Sequence, residues 1–257
     1  MKTPCRQILS TMIAMLVLLP FRTSADQLHI AVAANFTAAT KAIVPLFEKK
    51  TGHTVTVSFG STGQLFSQIV NGAPFDVLLA ADSLRPAALV REGIGIDSTR
   101  FTYARGVLAL WSPREGFIDT AGTVLSGTSW RYCAFANPKT APYGAAARQT
   151  LQTLKLTPGM EDRLVQGTNI AQTWQQVASG NAELGFVAYA QIALLSPEKK
   201  GSYWIVPRDY YSPLLQQAVV LKSAQHKSAA HQFTEFLRDK QALAIIMQYG
   251  YGVGESQ

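Results

Sequence analysis

Apolar positions recur along this chain in two rhythms. From residue 28 onward, short and nearly continuous apolar runs alternate with stretches in which apolar side chains return every three or four positions. That alternation is the pattern of strand and helix units built around a sheet, and it predicts an α/β protein. Residues 28–33 read as a first strand. A helix follows Asn35, with Ala39, Ile43, Leu46 and Phe47 on one face and Gly52 as its stop. Pro45 lies inside that stretch and is expected to kink it or to remove one backbone bond. Residues 55–59 form a second strand, and Leu65, Ile69 and Val70 make the buried stripe of the helix after it, closed by Asn71-Gly72. Residues 76–80 are a short third strand.

The run 101–111 is extended and is broken at Arg105-Gly106, which predicts a strand crossing between two lobes. Beyond it, 130–136 and 184–188 read as strands, and 145–154 and 170–178 as helices. Residues 203–206 are expected to be the return crossing, and 218–221 a strand that rejoins the first lobe. Phe233, Phe236 and Leu237, then Ile245 and Ile246, fall at helical spacing and predict closing helices on that lobe. The expected division is therefore 26–104 plus 207–257 in one lobe and 105–206 in the other.

The amino-terminal residues change the picture of where the protein works. Lys2 and Arg6 precede an apolar run over 8–19, and Thr23-Ser24-Ala25 offers small residues for cleavage. This is the pattern of an export signal over 1–25, removed from a periplasmic protein that begins near Asp26. The run is short for a hydrocarbon core of roughly 30 Å. Cys5 lies within the leader rather than beside the cut, so a lipid-anchored cysteine is not expected. Cys133 is then the sole cysteine, which excludes an internal disulfide and reads as a small buried hydrophobe.

Loss of Lys2, Arg6 and Arg22 with the leader lowers the formal charge from +7 to about +4. That excess is scattered and not interleaved with aromatics, so no nucleic-acid partner is expected, although an anion would be drawn in. His29, His53, His226 and His231 show no metal-ligand spacing, and no protein-bound metal or cofactor is predicted.

Three places share one design, in which an apolar strand ends, small or hydroxyl residues follow, and a helix begins. They are Ala33-Ala34-Asn35-Phe36, Gly60-Ser61-Thr62-Gly63, and residues 137–144. A helix start leaves about four backbone N–H groups without internal acceptors and carries the positive end of the helix dipole. It is a ready anion site, and in open α/β sheets the ligand crevice lies beyond the carboxyl ends of the strands. Each turn also has an ordinary structural reading, since Ser61, Thr62 and Asn35 are all good helix caps.

At these residues the chain resembles a known family. Ala31-Val32-Ala33-Ala34-Asn35-Phe36, Phe59-Gly60-Ser61-Thr62-Gly63, Asn71-Gly72-Ala73-Pro74-Phe75-Asp76-Val77 and Ala80-Ala81-Asp82 are similar to stretches of the periplasmic molybdate-binding proteins of molybdate uptake systems. Asn137-Pro138-Lys139-Thr140-Ala141-Pro142-Tyr143-Gly144, Leu184-Gly185-Phe186-Val187-Ala188 and Tyr249-Gly250-Tyr251 fit as well, in order, across nearly the whole mature chain. The resemblance implies a two-lobed class II periplasmic binding protein fold, each lobe a mixed, mostly parallel sheet flanked by helices, the lobes joined by two crossover segments. It implies a monomer that holds molybdate or tungstate between its lobes and delivers it to the membrane permease of an ATP-driven (ABC-type) transporter.

The resemblance also implies a donor set. Asn35 stands where a serine is common, with Ala34 beside it; Thr62 stands at the second hydroxyl position, next to Ser61. Tyr143 replaces a small residue at the Pro-x-Gly turn, offering a phenol and a backbone N–H, and Ile170 falls where a backbone N–H is donated. A tyrosine used by many members falls at Ala188 here; Tyr143 is expected to supply the missing bond, with Tyr189 a weaker candidate on the other face of the strand.

Neutral donors suit such a ligand. Molybdate, tungstate and sulfate carry no proton at neutral pH, so every oxygen wants a donor, whereas phosphate keeps a proton and would use an acceptor. No acidic residue lies in the three turns. Asp82 is expected to cap the following helix, and Asp76 to be a turn residue. Two rival readings stand beside this one: a binding protein for sulfate or another small anion, and a secreted serine hydrolase. The second is disfavoured because Gly60-Ser61-Thr62-Gly63 is not the Gly-x-Ser-x-Gly elbow.

Overall fold

The computed structural model describes residues 25–224 and 227–253. The leader assigned to 1–25 lies outside the described residues except for Ala25, as does His226. Ten strands form two five-stranded sheets. In chain order the first lobe contributes β1 (Gln27–Ala33), α1 (Thr37–Thr51), β2 (Thr54–Gly60), α2 (Thr62–Val70), β3 (Val77–Leu79), α3 (Leu84–Arg91) and β4 (Phe101–Arg105). The second contributes β5 (Leu108–Ser112), β6 (Cys133–Ala136), α4 (Pro142–Thr153), β7 (Leu164–Gly167), α5 (Ile170–Ala178), β8 (Leu184–Ala188), α6 (Pro197–Lys200) and β9 (Ser202–Ile205). The chain then returns as β10 (Leu215–Val220), α7 (Lys227–Phe236) and α8 (Lys240–Gln248).

The two sheets share one topology. The first runs β2-β1-β3-β10-β4 and the second β7-β6-β8-β5-β9. In each, three neighbouring strands are parallel and a single strand is reversed: β10 lies antiparallel to both β3 and β4, and β5 to both β8 and β9. The reversed strand is the one that follows a crossing from the other lobe. Both sheets therefore aim the carboxyl ends of their parallel strands, and the helix starts that follow, at the same cleft.

Local chemistry accounts for these elements. Leu28, Ile30 and Val32 of β1 are fully buried in one core with Phe36, Ile43 and Phe47 of the following segments and Phe233 of α7. Gly52 closes α1 in the left-handed conformation, φ +76°, where its N–H bonds to the Glu48 carbonyl. Pro45 does not break α1, because it stands on the exposed side of the helix and the stripe of Ile43, Val44 and Phe47 stays packed. Leu108 and Leu110 of β5 anchor the second core with Phe186, Trp130 and Trp204.

Several boundaries depart from the sequence reading, among them the strand expected over 130–136, which begins only at Cys133. Residues 203–206 are not the crossing: Ser202–Ile205 pairs with β5 as an edge strand, and the return crossing follows it. Strand β7, whose edge position leaves Leu164 and Val165 only half-buried, carries too weak an apolar signal to be read from sequence. The helix expected over 145–154 starts earlier, at Pro142, since proline's fixed φ and missing N–H suit a first turn.

The crossings lie side by side. Gly106 N–H donates to the Leu214 carbonyl at 2.9 Å, and Arg105 exchanges backbone bonds with Gly252 near the carboxyl end. A Cβ on Gly106 would stand 2.3 Å from the Tyr143 phenol oxygen and 2.8 Å from Gln216 Nε2, so only glycine fits between these side chains.

Candidate functional site

A cavity with about 200 Å³ of empty space, its mouth included, lies between the lobes. It is walled by Ala33, Ala34, Asn35, Gly60, Ser61, Thr62 and Ala81 from one side and Ala141, Pro142, Tyr143 and Ile170 from the other. Walls this close together leave room for a small ion and not for a larger solute. None of its walls is a charged residue. All six residues singled out by sequence, Ala34, Asn35, Ser61, Thr62, Tyr143 and Ile170, meet there although they lie in four separate stretches of the chain.

Each stretch ends a strand and begins a helix. After β1 a 3-10 turn, Ala34–Phe36, precedes α1, and no side chain caps it, so the N–H groups of Ala34 and Asn35 have no acceptor within the turn. Ser61 caps α2 in a reciprocal box with Gln64: its hydroxyl donates to Gln64 Oε1 at 2.8 Å, its N–H to the same oxygen at 3.3 Å, and its oxygen accepts from Gln64 N–H at 3.4 Å. Both donors of Ser61 are thus turned toward Gln64. Thr62, the first residue of α2, differs. Its oxygen accepts from Ala81 N–H at 3.0 Å, which anchors the side chain to the end of β3 and leaves the hydroxyl proton for another acceptor.

On the opposite wall Pro142 begins α4, and Tyr143 is the first residue of that helix with an N–H to offer. Gly144 lets the helix seat on β6, since a Cβ there would fall 2.1 Å from the Ala136 carbonyl oxygen. Asn169 caps α5, accepting from Ala171 N–H at 2.9 Å and Gln172 N–H at 3.0 Å. The cap takes the second and third N–H groups of the helix and leaves the first, that of Ile170, at the cavity wall. Gln191 holds the same turn by donating to the Ile170 carbonyl at 3.1 Å.

The side chains of Asn35 and Tyr143 are partnered from within. Asn35 Nδ2 donates to Gln216 Oε1 at 2.8 Å and to the Tyr251 phenol oxygen at 3.2 Å, while the Tyr251 hydroxyl donates to the Asn35 carbonyl at 2.7 Å. The Tyr143 phenol oxygen accepts from Gln216 Nε2 at 3.2 Å. Burial pushes the Tyr103, Tyr143 and Tyr251 phenols well above their usual value of 10.0, so all three stay neutral beneath the site. Asp82 accepts from Arg85 N–H at 3.0 Å and pairs with its guanidinium, which is the capping role expected from sequence.

Tyr189 does not wall the cavity; its ring packs 5.8 Å from that of Tyr203 and lies against Gly250. Ala188 is fully buried at the end of β8. Sequence reasoning missed Gln216, Tyr103 and Tyr251, which support the site from below. One signal was present: Gln216 shares its side of β10 with Ala218 and Val220, a polar residue on the buried parity of an otherwise apolar strand.

Two sheets of one topology, joined by paired crossings and closed over a small neutral cavity rimmed by helix starts, define a solute-binding protein built to enclose a small anion. A family model described as bacterial extracellular solute-binding protein matches residues 28–252, and the chain belongs to that family. Proteins of this kind hold a solute for transport and do not transform it.

Among its relatives, the chain is 48% identical over 236 residues to the molybdate-binding protein ModA of Azotobacter vinelandii, covering 92% of this chain and 94% of that one. It is 45% identical over 242 residues to ModA of Rhodobacter capsulatus, covering 94% of each. The solved structure of the Azotobacter vinelandii periplasmic molybdate-binding protein superposes with a TM-score of 0.86 at 42% identity, over 89% of this chain and all of the other.

Proposed function

We propose that this protein captures molybdate, and tungstate with it, in the cleft between its lobes in the periplasm and hands the ion to the permease of an ABC transporter. The observation that carries the reading is the convergence of four helix starts, two from each lobe, on one cavity without a charged wall. A dianion placed there meets oriented N–H dipoles from every side and no carboxylate, so it is held without a buried counter-charge. The identity of 48% to a molybdate-binding relative supports the choice of ion.

In this reading the N–H groups of Ala34 and Asn35 and the hydroxyl and N–H of Thr62 grip the ion from one lobe, and the N–H groups of Tyr143 and Ile170 from the other. The Asn35 amide and the Tyr143 phenol support the walls through Gln216. Ser61 shapes the turn through its box with Gln64. A hydrolytic role for Ser61 is disfavoured, since its hydroxyl donates to an amide oxygen and not to a histidine. The lobes are 26–104 plus 207–257 and 105–206, preceded by a cleaved signal over 1–25, and the protein acts as a monomer.

Calorimetric titration with molybdate, tungstate, sulfate and phosphate tests this. Tight binding of the two metal oxyanions and weak or no binding of the others is expected. Equal binding of sulfate, or silence with both metal oxyanions, overturns the choice of ligand.

A further inference from the structure

Below the cavity lies a buried polar network that the binding reading does not itself require. Gln216 is at its centre, fully buried on β10, the strand by which the chain returns to the first lobe. Its Oε1 accepts from Asn35 Nδ2 at 2.8 Å and from the Tyr103 hydroxyl at 3.1 Å. The Asn35 amide donor sets which way the Gln216 amide faces, while the Tyr103 proton is shared between this oxygen and the Ala80 carbonyl at 3.1 Å; Nε2 then points the other way, where it donates to the Tyr143 phenol oxygen at 3.2 Å. Asn35 belongs to the first lobe and Tyr143 to the second. The Gln216 amide is therefore a side-chain link between one wall of the cavity and the other.

We infer that Gln216 is a positioning residue for anion capture: its amide holds the Asn35 turn and the Tyr143 helix start in register, so that donors of both lobes converge when the cleft closes. The inference rests on the proposed anion-binding role of this cavity. An amide is the side chain that meets the need, because one end must accept and the other must donate with no charge near a dianion. Hydrocarbon at this position would strand one Asn35 N–H in a dry interior, although Tyr103 would keep the Ala80 carbonyl and the other Asn35 N–H the Tyr251 oxygen. A carboxylate would lose the donor to Tyr143 and set a negative charge beneath the ligand.

Glutamate separates positioning from mere packing. It has the shape of glutamine, and when protonated it can still accept at one oxygen and donate from the other. Only its ionised form breaks the network. The titratable groups around it are Tyr103, Tyr143 and Tyr251, which burial keeps neutral, Tyr211, which acts on Tyr143 and is itself raised by burial, and Asp82, which is paired with Arg85 and lies close enough to act on Tyr103. Burial raises a carboxyl pKa by up to about 3–5 units, which brings a glutamate here into the neutral range.

The experiment is calorimetric titration of molybdate into the wild type, Gln216→Glu and Tyr143→Phe across mildly acidic to mildly alkaline pH, with circular dichroism confirming each fold. The wild type should show an affinity that hardly varies with pH. Gln216→Glu should approach it in acid and fall more than tenfold as pH rises. A glutamate variant that tracks the wild type at every pH overturns the inference while leaving the binding role intact. If that variant fails to fold, Tyr143→Phe decides, since it removes the amide's partner and keeps every proposed backbone donor: several-fold weaker binding supports the inference and unchanged affinity overturns it. A wild type that binds no molybdate overturns the binding role, and this inference with it.

Discussion

Gly63 N–H donates to the Thr140 carbonyl at 2.8 Å, which ties the first turn of α2 to the loop before α4 in the opposite lobe. Arg85 reinforces the contact by donating to the Lys139 carbonyl at 3.1 Å. The Gly63 position has no room to spare, because a Cβ would stand 2.9 Å from Thr140 Cα and 3.0 Å from its carbonyl oxygen, both backbone atoms. Gly63→Ala should therefore hold the lobes apart. Overpacking of this kind costs about 1–3 kcal/mol, which should appear as weaker binding and little loss of stability without ligand, where the lobes are free to separate. Titration beside thermal melts checks this, and a variant that binds like the wild type would show that this contact plays no part in closure.

Thr62 offers a separable test of the donor set. Thr62→Val preserves shape but removes both the acceptor for Ala81 N–H and the hydroxyl proton proposed to reach the ion. Binding should weaken by roughly 0.5–3 kcal/mol, with a smaller loss of stability from the stranded N–H. Thr62→Ser keeps the hydroxyl and should bind nearly as well as the wild type. Equal affinity in Thr62→Val would remove this hydroxyl from the site.

Stability should be lost on the alkaline side. The Tyr103, Tyr143 and Tyr251 phenols are pushed above 10.0, first by burial, so the unfolded chain releases these protons before the folded one does. Their contribution is intact below about pH 10 and declines as pH climbs through the folded values. Denaturant midpoints should be level through neutrality with respect to these groups and drop above that point. Tyrosinate absorbance from the buried three should appear together with unfolding. Ionisation of all nine tyrosines near the ordinary value in a folded protein would contradict this.

Cys133 should be inert while the protein is folded. It is fully buried on β6, and burial pushes its thiol up to about 12 against a smaller opposing influence of Arg163. A thiol reagent added to a protein beginning at Asp26 should modify it no faster than the protein opens, with the rate rising steeply in denaturant. Prompt labelling in native buffer would mean that the second core opens readily.

The strand-to-helix turns were legible because they rest on local rules. Alternating periodicities place β1, β2, α5 and β8 nearly residue for residue, although Val70, expected in the buried stripe of α2, is exposed; the small and hydroxyl residues of the turns mark helix starts whatever surrounds them. Edge elements are less legible: β7 lacks a strong apolar run, and β9 reads as a crossing because an edge strand and an extended linker share one pattern.

Sequence by itself determined the α/β class, the break at Arg105-Gly106, and the residue types that bring uncharged donors to three helix starts, with a fourth at Ile170 implied by the resemblance. Tertiary structure alone decided what each donor faces. Capping turns Ser61 toward Gln64, the end of β3 anchors Thr62, and Gln216, 181 residues from Asn35, accepts from the Asn35 side-chain amide. The physical reason is that a hydrogen bond is fixed by where its partner stands. For these buried groups the partners come from strands and helices that only the folded sheets bring together.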